Sequence, residues 1–326
     1  MKRALHCFAL ALLAATTSLP AAGQPSSSYP TKAIRLVVPY PPGGSADVLA
    51  RALGERLGAS LGQTVVVENK PGAGTAIGAR LVAQSPADGY TLLIGTVSSH
   101  AMNPALTSNI GYDPIQDFTA VAPLATIPFV LLTNPKVPAA SFKEVVALAR
   151  QSPGKLNFSS AGNGTSNHLA GEMLKAAAGL RIVHIPYRGS APALQALLGG
   201  EVDLMFDLVA TAVPHVKSGR ARALVITAET RSPLLPDVST VAELGMPSLE
   251  LSAWFGVFGP RDLPTGIRER LAREVSQVVE SAAFQERLQG FGAAPLKQTA
   301  AQFNDFVVRE RERWAKLIKE ASIKAD

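Results

Sequence analysis

The chain has 326 residues, 47% apolar and 17% charged, enough to bury a core divided between two domains and too apolar for disorder. Its formal charge is +6, but Lys2 and Arg3 belong to the leader described next, leaving +4 (6 − 2), and no stripe of Lys and Arg interleaved with aromatics marks a nucleic-acid surface. The single cysteine, Cys7, lies in the same leader, so the rest of the chain has no thiol for a disulfide or a thiolate metal site.

Met1 to Gly23 has a basic start, an apolar run from Phe8 to Ala15, and small residues Ala21 and Gly23 at cleavage spacing, the pattern of a secretory leader. Pro20 ends an apolar run too short to span a bilayer. Cys7 precedes that run, whereas a lipoprotein cysteine would follow it. Cleavage after Gly23 and an exported chain without disulfides predict a bacterial periplasm.

After the leader, strand and helix alternate. Ile34 to Val38 is β-branched and apolar, as suits a strand of a parallel sheet buried on both faces. The helix after it carries Leu49, Leu53 and Leu57 on one stripe. Thr64 to Glu68 is the next strand, PGAGTAIGARLVAQ a turn and helix, and Thr91 to Gly95 a third strand, so a βαβαβ unit with an open parallel sheet is expected. Phe129 to Thr133 reads as another strand, and NPKVPAAS after it as a crossing into a second domain.

That domain is expected to hold a helix from Phe142 to Arg150, the strand LNFSS, a helix beginning near Thr165, the strand RIVHIPY, a helix from Ala191 to Leu198, and the strands VDLMF and RALVIT. Leu251 to Phe258 is aromatic-rich and extended, a candidate return crossing. Two long helices close the chain, one with Ile267, Leu271, Val275, Val278 and Val279 on a face, the other with Phe303, Phe306, Val307, Trp314, Leu317 and Ile318. Their charged runs, RERLARE and RERERWAK, read as solvated helix surface.

Most catalytic signatures are missing. There is no G-x-S-x-G elbow, P-loop or H-E-x-x-H, and Gly72, Gly74 and Gly78 miss the dinucleotide fingerprint by one residue. His168 and Glu172 lie four apart on a predicted helix without a further ligand at metal spacing, so the pair is assigned to a surface or a helix cap. His100, in the loop TVSSH after a strand, has Ser98 and Ser99 beside it but no acidic partner nearby, which suits a ligand contact or a structural loop.

Two stretches remain, IRLVVPYPPGGSAD from Ile34 to Asp47 and LNFSSAGNGTS from Leu156 to Ser166. Each is a strand, a glycine-bearing turn and a helix start, where unpaired backbone N–H groups favour an anion. Facing each other across a cleft, they would grip a carboxylate from both sides. Pro41 and Pro42 stiffen the first turn, Gly43 and Gly44 admit close approach, and Ser45 can cap the helix or bond a ligand. Asp47 is either a first-turn stabiliser or a neighbour of the anion. Asp207 follows VDLMF, and either accepts from a ligand amino or hydroxyl group or caps the next helix.

The mature chain resembles, nearly end to end, the exported solute-binding proteins of tripartite tricarboxylate transporters, the Bordetella uptake gene family. The resemblance rests on YPTKAIRLVVPYPPGGSAD, VVVENKPGAGTAIGA, PADGYTLL, SSAGNGTSNHLAGE, HIPYRGSAPAL, GEVDLMFD, ARALVIT with PDVSTVAELG, and WFGVFGP. It implies a two-domain α/β periplasmic binding protein of the type II kind, each domain a mainly parallel sheet flanked by helices, with the ligand in the cleft between them. It also implies a small organic acid (a di- or tricarboxylate, an amino acid or an aromatic acid) passed to membrane permease subunits. The carboxylate would be held by Gly43, Gly44, Ser45 and Ala46 and by Gly162, Asn163, Gly164, Thr165 and Ser166. Tyr40, Pro42, Ser98, Ser160, Ala161, Tyr187 and Asp207 complete the expected site. Arg188 stands where the family often has Lys, and Leu208 where it often has a small polar residue.

The reading is therefore a monomeric binding protein without cofactor, metal or catalytic residues, closing by hinge motion. Its domains are expected at residues 29–127 with 252–326, and at 128–251. The competing readings are a secreted hydrolase using Ser98, Ser99 or His100, and a ligand sensor acting on a membrane receptor.

Overall fold

The computed structural model describes residues 29–320 and 323; the leader, its cleavage point and Cys7 lie outside the described residues. The first unit runs β1 (Ile34–Val38), α1 (Ser45–Leu61), β2 (Val65–Asn69), α2 (Ala76–Ala83) and β3 (Thr91–Thr96). Its strands pair in parallel in the order β2-β1-β3. Leu49, Leu53 and Leu57 of α1 are buried, as the spacing of four predicts. After β3 the chain makes a π-helical turn over Ser98–Met102 and runs into α3 (Asn103–Leu106), where the sequence suggested a loop. Such turns often mark functional regions.

The next strand is much longer than expected. β4 covers Phe118–Thr133, 16 residues, because the half FTAVAPLATIP was masked by Pro123 and Pro128, which argue against a central strand. The structure accommodates Pro123 at a register shift. Residues 118–128 of β4 pair with β9 (Ser252–Pro260), and residues 129–133 with β7 (Leu204–Leu208) and β8 (Arg222–Ile226). The change of partner thus falls between Pro128 and Phe129, and NPKVPAAS lies beyond it.

The second unit contains α4 (Phe142–Gln151), β5 (Asn157–Ser160), α5 (Ser166–Ala178), β6 (Val183–Pro186), α6 (Ser190–Gly199), β7, α7 (Val209–Lys217) and β8. Its parallel order is β7-β5-β6. Helix α7 is the helix expected after Asp207, for which the sequence sets no bounds; Pro214 sits inside it. The antiparallel pairs come from the crossing strands β4 and β9, with short β10 (Ala294–Pro295) on β4. The result is a two-domain α/β fold with strand ends facing a shared cleft.

Three helices close the chain: α8 (Thr265–Glu280), α9 (Ala282–Gly290) and α10 (Ala300–Glu320). Expecting two solvated charged faces misses Glu310, which is buried in the stripe Phe303, Val307, Glu310, Trp314 and Ile318. Its Oε2 accepts from Trp254 Nε1–H (3.1 Å) on β9 and from Trp314 Nε1–H (3.2 Å), and Arg313 meets Oε1 at 3.1 Å.

Candidate functional site

The ends of β1, β5, β6 and β7 lead into α1, α5, α6 and α7, and the first residues of all four helices line one cavity of about 570 Å³ continuous with solvent. Ser45, Ser166, Ser190 and Leu208 represent these starts; Phe129, Ala253 and Phe255 of the crossing strands close the cavity. No Lys or Arg is among the lining residues. Helix starts carry partial positive charge, so the convergence favours an anion without a cationic side chain.

The first turn is braced from within. Asp47, buried in α1, accepts Gly43 N–H (3.0 Å) and Asn69 Nδ2–H (2.9 Å) and pairs with Arg51 (2.9 Å). Burial alone would raise its carboxyl, but the Arg51, Gly43 and Asn69 donors outweigh it and hold the pKa below the ordinary value. Asp47 is thus the first-turn stabiliser, and Gly43, at φ 90°, has its N–H occupied. Gly44 remains extended (φ −83°), caps α1 without a side-chain bond, and a Cβ there would meet no protein atom within 4 Å. Beside it, Ser45 Oγ is buried with no hydrogen-bond partner, in a residue 9% exposed.

The second turn is internally bonded. Gly162 N–H donates to Ser160 Oγ (3.1 Å), Gly164 N–H to His168 Nδ1 (3.3 Å), Thr165 N–H and Oγ1–H to Gly162 O (3.2 and 2.6 Å), and Ser166 N–H to Ser98 Oγ (3.1 Å). The two turns are therefore chemically unlike: open N–H groups concentrate at α1. Gly164, at φ 76°, would press a Cβ within 2.5 Å of Asn103 Oδ1 across the cleft.

Ser166 and Asp207 line the central cavity with Tyr40, Pro42, Gly44, Ser45 and Ala46. Ala161, Gly162, Asn163, Gly164, Thr165 and Tyr187 instead line an outer cavity of about 1630 Å³, which shares Tyr40 and Pro41 with the first. Ser98 and Ser160 are fully buried supports behind the second turn.

Residues 49–323 match the family described as the tripartite tricarboxylate transporter family receptor. The chain belongs to that receptor family. A curated relative, BugT of Bordetella pertussis, is 38% identical over 300 residues, 92% of either chain. Among solved structures, R. palustris Rpa4515 with adipate superposes with a TM-score of 0.88 at 37% identity, covering 91% of this chain and 99% of the other. The periplasmic binding protein BugD gives 0.87 at 34%, covering 91% and 100%.

Within this receptor, Asp207 is fully buried at the end of β7; Oδ1 accepts Leu208 N–H (2.9 Å) and Oδ2 accepts Thr211 Oγ1–H (2.6 Å). Burial pushes its pKa up to about 7, against the lowering effect of those two donors. His100 does not line either cavity. It is buried, stacked on Phe258 with centroids 4.0 Å apart, with Nδ1 2.8 Å from Ser99 Oγ, and burial lowers its pKa to about 3. No carboxylate is bonded to it among the described residues, so of the two readings, ligand contact or structural loop, its burial favours the structural one.

His168 is also not on the surface: it is buried in α5 and stacked on His184 at 4.2 Å, because nearly the whole first half of that helix faces the core. Glu172 pairs with Lys175 at 2.8 Å. Arg188 is exposed at the outer cavity, whereas Leu208 faces the central one. Sequence reading missed Thr96, Phe129, Asn167, Ser190 and Phe255. A third strand–glycine–helix unit, Ile185 to Ser190, could have found Ser190; the crossing-strand residues carried no turn signal.

Proposed function

We propose that this chain is an exported, monomeric solute receptor that encloses a small carboxylate in the central cavity and delivers it to permease subunits of a tripartite transporter. The carrying observation is the convergence of four helix starts on one cavity lacking Lys and Arg, with the unpartnered Ser45 hydroxyl at the α1 start. A bound anion must have its hydration replaced, and charge-assisted hydrogen bonds contribute roughly 1.5–3 kcal/mol each. Donors are backbone N–H groups of Gly44, Ser45 and Ala46, the hydroxyls of Ser45 and Ser166, and bridging water. The outer residues Gly162 to Thr165 and Tyr187 form the rim. The similarity to an adipate-bound receptor supports this reading.

The domains divide at residues 29–127 with 252–326 and at 128–251, and closure turns about the two crossing strands. The protein binds without turnover, since the Ser99–His100 pair is buried away from both cavities. Gly44→Val tests the site: its backbone is already extended and the added side chain meets only the cavity. Calorimetric titration with a panel of mono-, di- and tricarboxylates should lose at least about tenfold in affinity, or about 1.4 kcal/mol, for every acid that the unaltered protein binds. Unchanged affinity with native-like melting would sink the reading, as would binding of no acid at all.

A further inference from the structure

The central cavity adjoins two other spaces, and they differ in charge. On one side Gly44, Ser190, Ala191 and Asp207 also line a side channel of about 600 Å³, together with Thr211 and His215. On the other, Tyr40 and Pro41 also line the outer cavity. Pro41 packs against Gly189 at that boundary, where an added Cβ would lie 2.6 Å from Pro41 Cγ. Among the described residues of the outer wall, Arg80 and Arg188 are the only charged side chains, with no Asp or Glu beside them. Arg80 belongs to α2, and its guanidinium lies against Gly111, where a Cβ would meet Nε at 3.2 Å; Arg188 is in the turn before α6. Both are exposed. Arg35, Arg51, Arg231 and Arg313 pair with carboxylates, whereas among the described residues Arg80 and Arg188 do not.

Resting on the carboxylate reading above, we propose that the outer cavity is an anion-capture vestibule, in which an arriving carboxylate first meets Arg80 and Arg188 and then passes Pro41 and Gly189 to the helix starts. A cleft lined by one sign of charge between low-dielectric walls concentrates counter-ions and speeds their association. The side channel offers no such attraction: an anion there faces Asp207, and burial, then Arg220, lowers the pKa of His215, which is uncharged at neutral pH. Arrival and retention thus fall to separate groups. The exposed guanidiniums set how fast the acid arrives, while helix starts, hydroxyls and water hold it once inside. Charges on a rim act on the association rate and its salt dependence, not on how long the ligand stays.

Stopped-flow mixing tests this with whichever of adipate, malate, hexanoate and citrate calorimetry shows to bind. Ionic strengths from about 0.01 to about 0.15 M shorten the screening length from about 30 to about 8 Å, and association with the unaltered protein should slow over that range. In the Arg80→Gln/Arg188→Gln double variant, checked for native melting, association at low salt should be at least about threefold slower and less sensitive to salt, with the dissociation rate unchanged. Arg268→Gln/Arg273→Gln removes the same charge from exposed positions of α8, away from both cavities, and should leave association near that of the unaltered protein. An unchanged association rate in the first variant, equal slowing in the second, or a change confined to dissociation overturns the vestibule while leaving the carboxylate receptor standing. Binding of none of the four acids overturns the receptor reading itself, and the vestibule with it.

Discussion

Asp207 shows how a single buried acid links the cavity to pH. The folded chain keeps its proton up to about pH 7, whereas the ordinary value is 3.8. Between those values the folded state holds more protons than the unfolded one, so the contribution to stability falls as pH rises, by about 1.4 kcal/mol per unit at most, and levels off above pH 7. Asp207→Asn should flatten that slope. Urea denaturation at pH 4.5 and 7.5 should find the variant gaining on the unaltered protein at the higher pH; a constant difference would mean the carboxyl ionises normally. Its position at a strand end was legible in VDLMFD. The alternative of capping the next helix was legible too, and both donors come from the start of that helix, Leu208 N–H and Thr211 Oγ1–H.

At the level of elements, α10 is fastened to the crossing strand by the carboxylate of Glu310 between two indoles. In Glu310→Leu both indole N–H groups lose their shared acceptor, leaving buried donors unmatched at a cost of about 1–3 kcal/mol. Chemical denaturation should register that loss, with carboxylate affinity unchanged because α10 does not line the cavity. Equal stability would mean that the contact is rebuilt with solvent. The run RERERWAK hid this residue: charge content suggested a wet surface, while the positions of Phe303, Val307, Trp314 and Ile318 already put Glu310 on the apolar stripe. β4 was half hidden for a related reason. Pro123 and Pro128 argue against a central strand, but a strand can carry proline where pairing is irregular.

For the whole molecule, the alternating βαβ order and the first glycine turn were readable because strand burial and helix periodicity leave strong local patterns. The cavity itself was only partly readable, since its wall comes from residues 129, 207–208 and 253–255, which meet through pairing across long sequence separations. The export and cleavage proposed above are tested at the N-terminus. N-terminal sequencing of periplasmic material should begin at Gln24, and a soluble species retaining Met1 would contradict cleavage after Gly23.

The chain leaves and re-enters its first half at one cross-strand pair, Pro128 opposite Ser252. Everything between is one uninterrupted segment of chain, carrying the α5, α6 and α7 starts, Phe129 and Leu208, while the Glu310 clamp lies outside it. Two gene crossovers flanking that pair would exchange one wall of the cavity between relatives in a single event. Ligand preference in such a lineage can then change by recombination, without a series of matched substitutions in both halves.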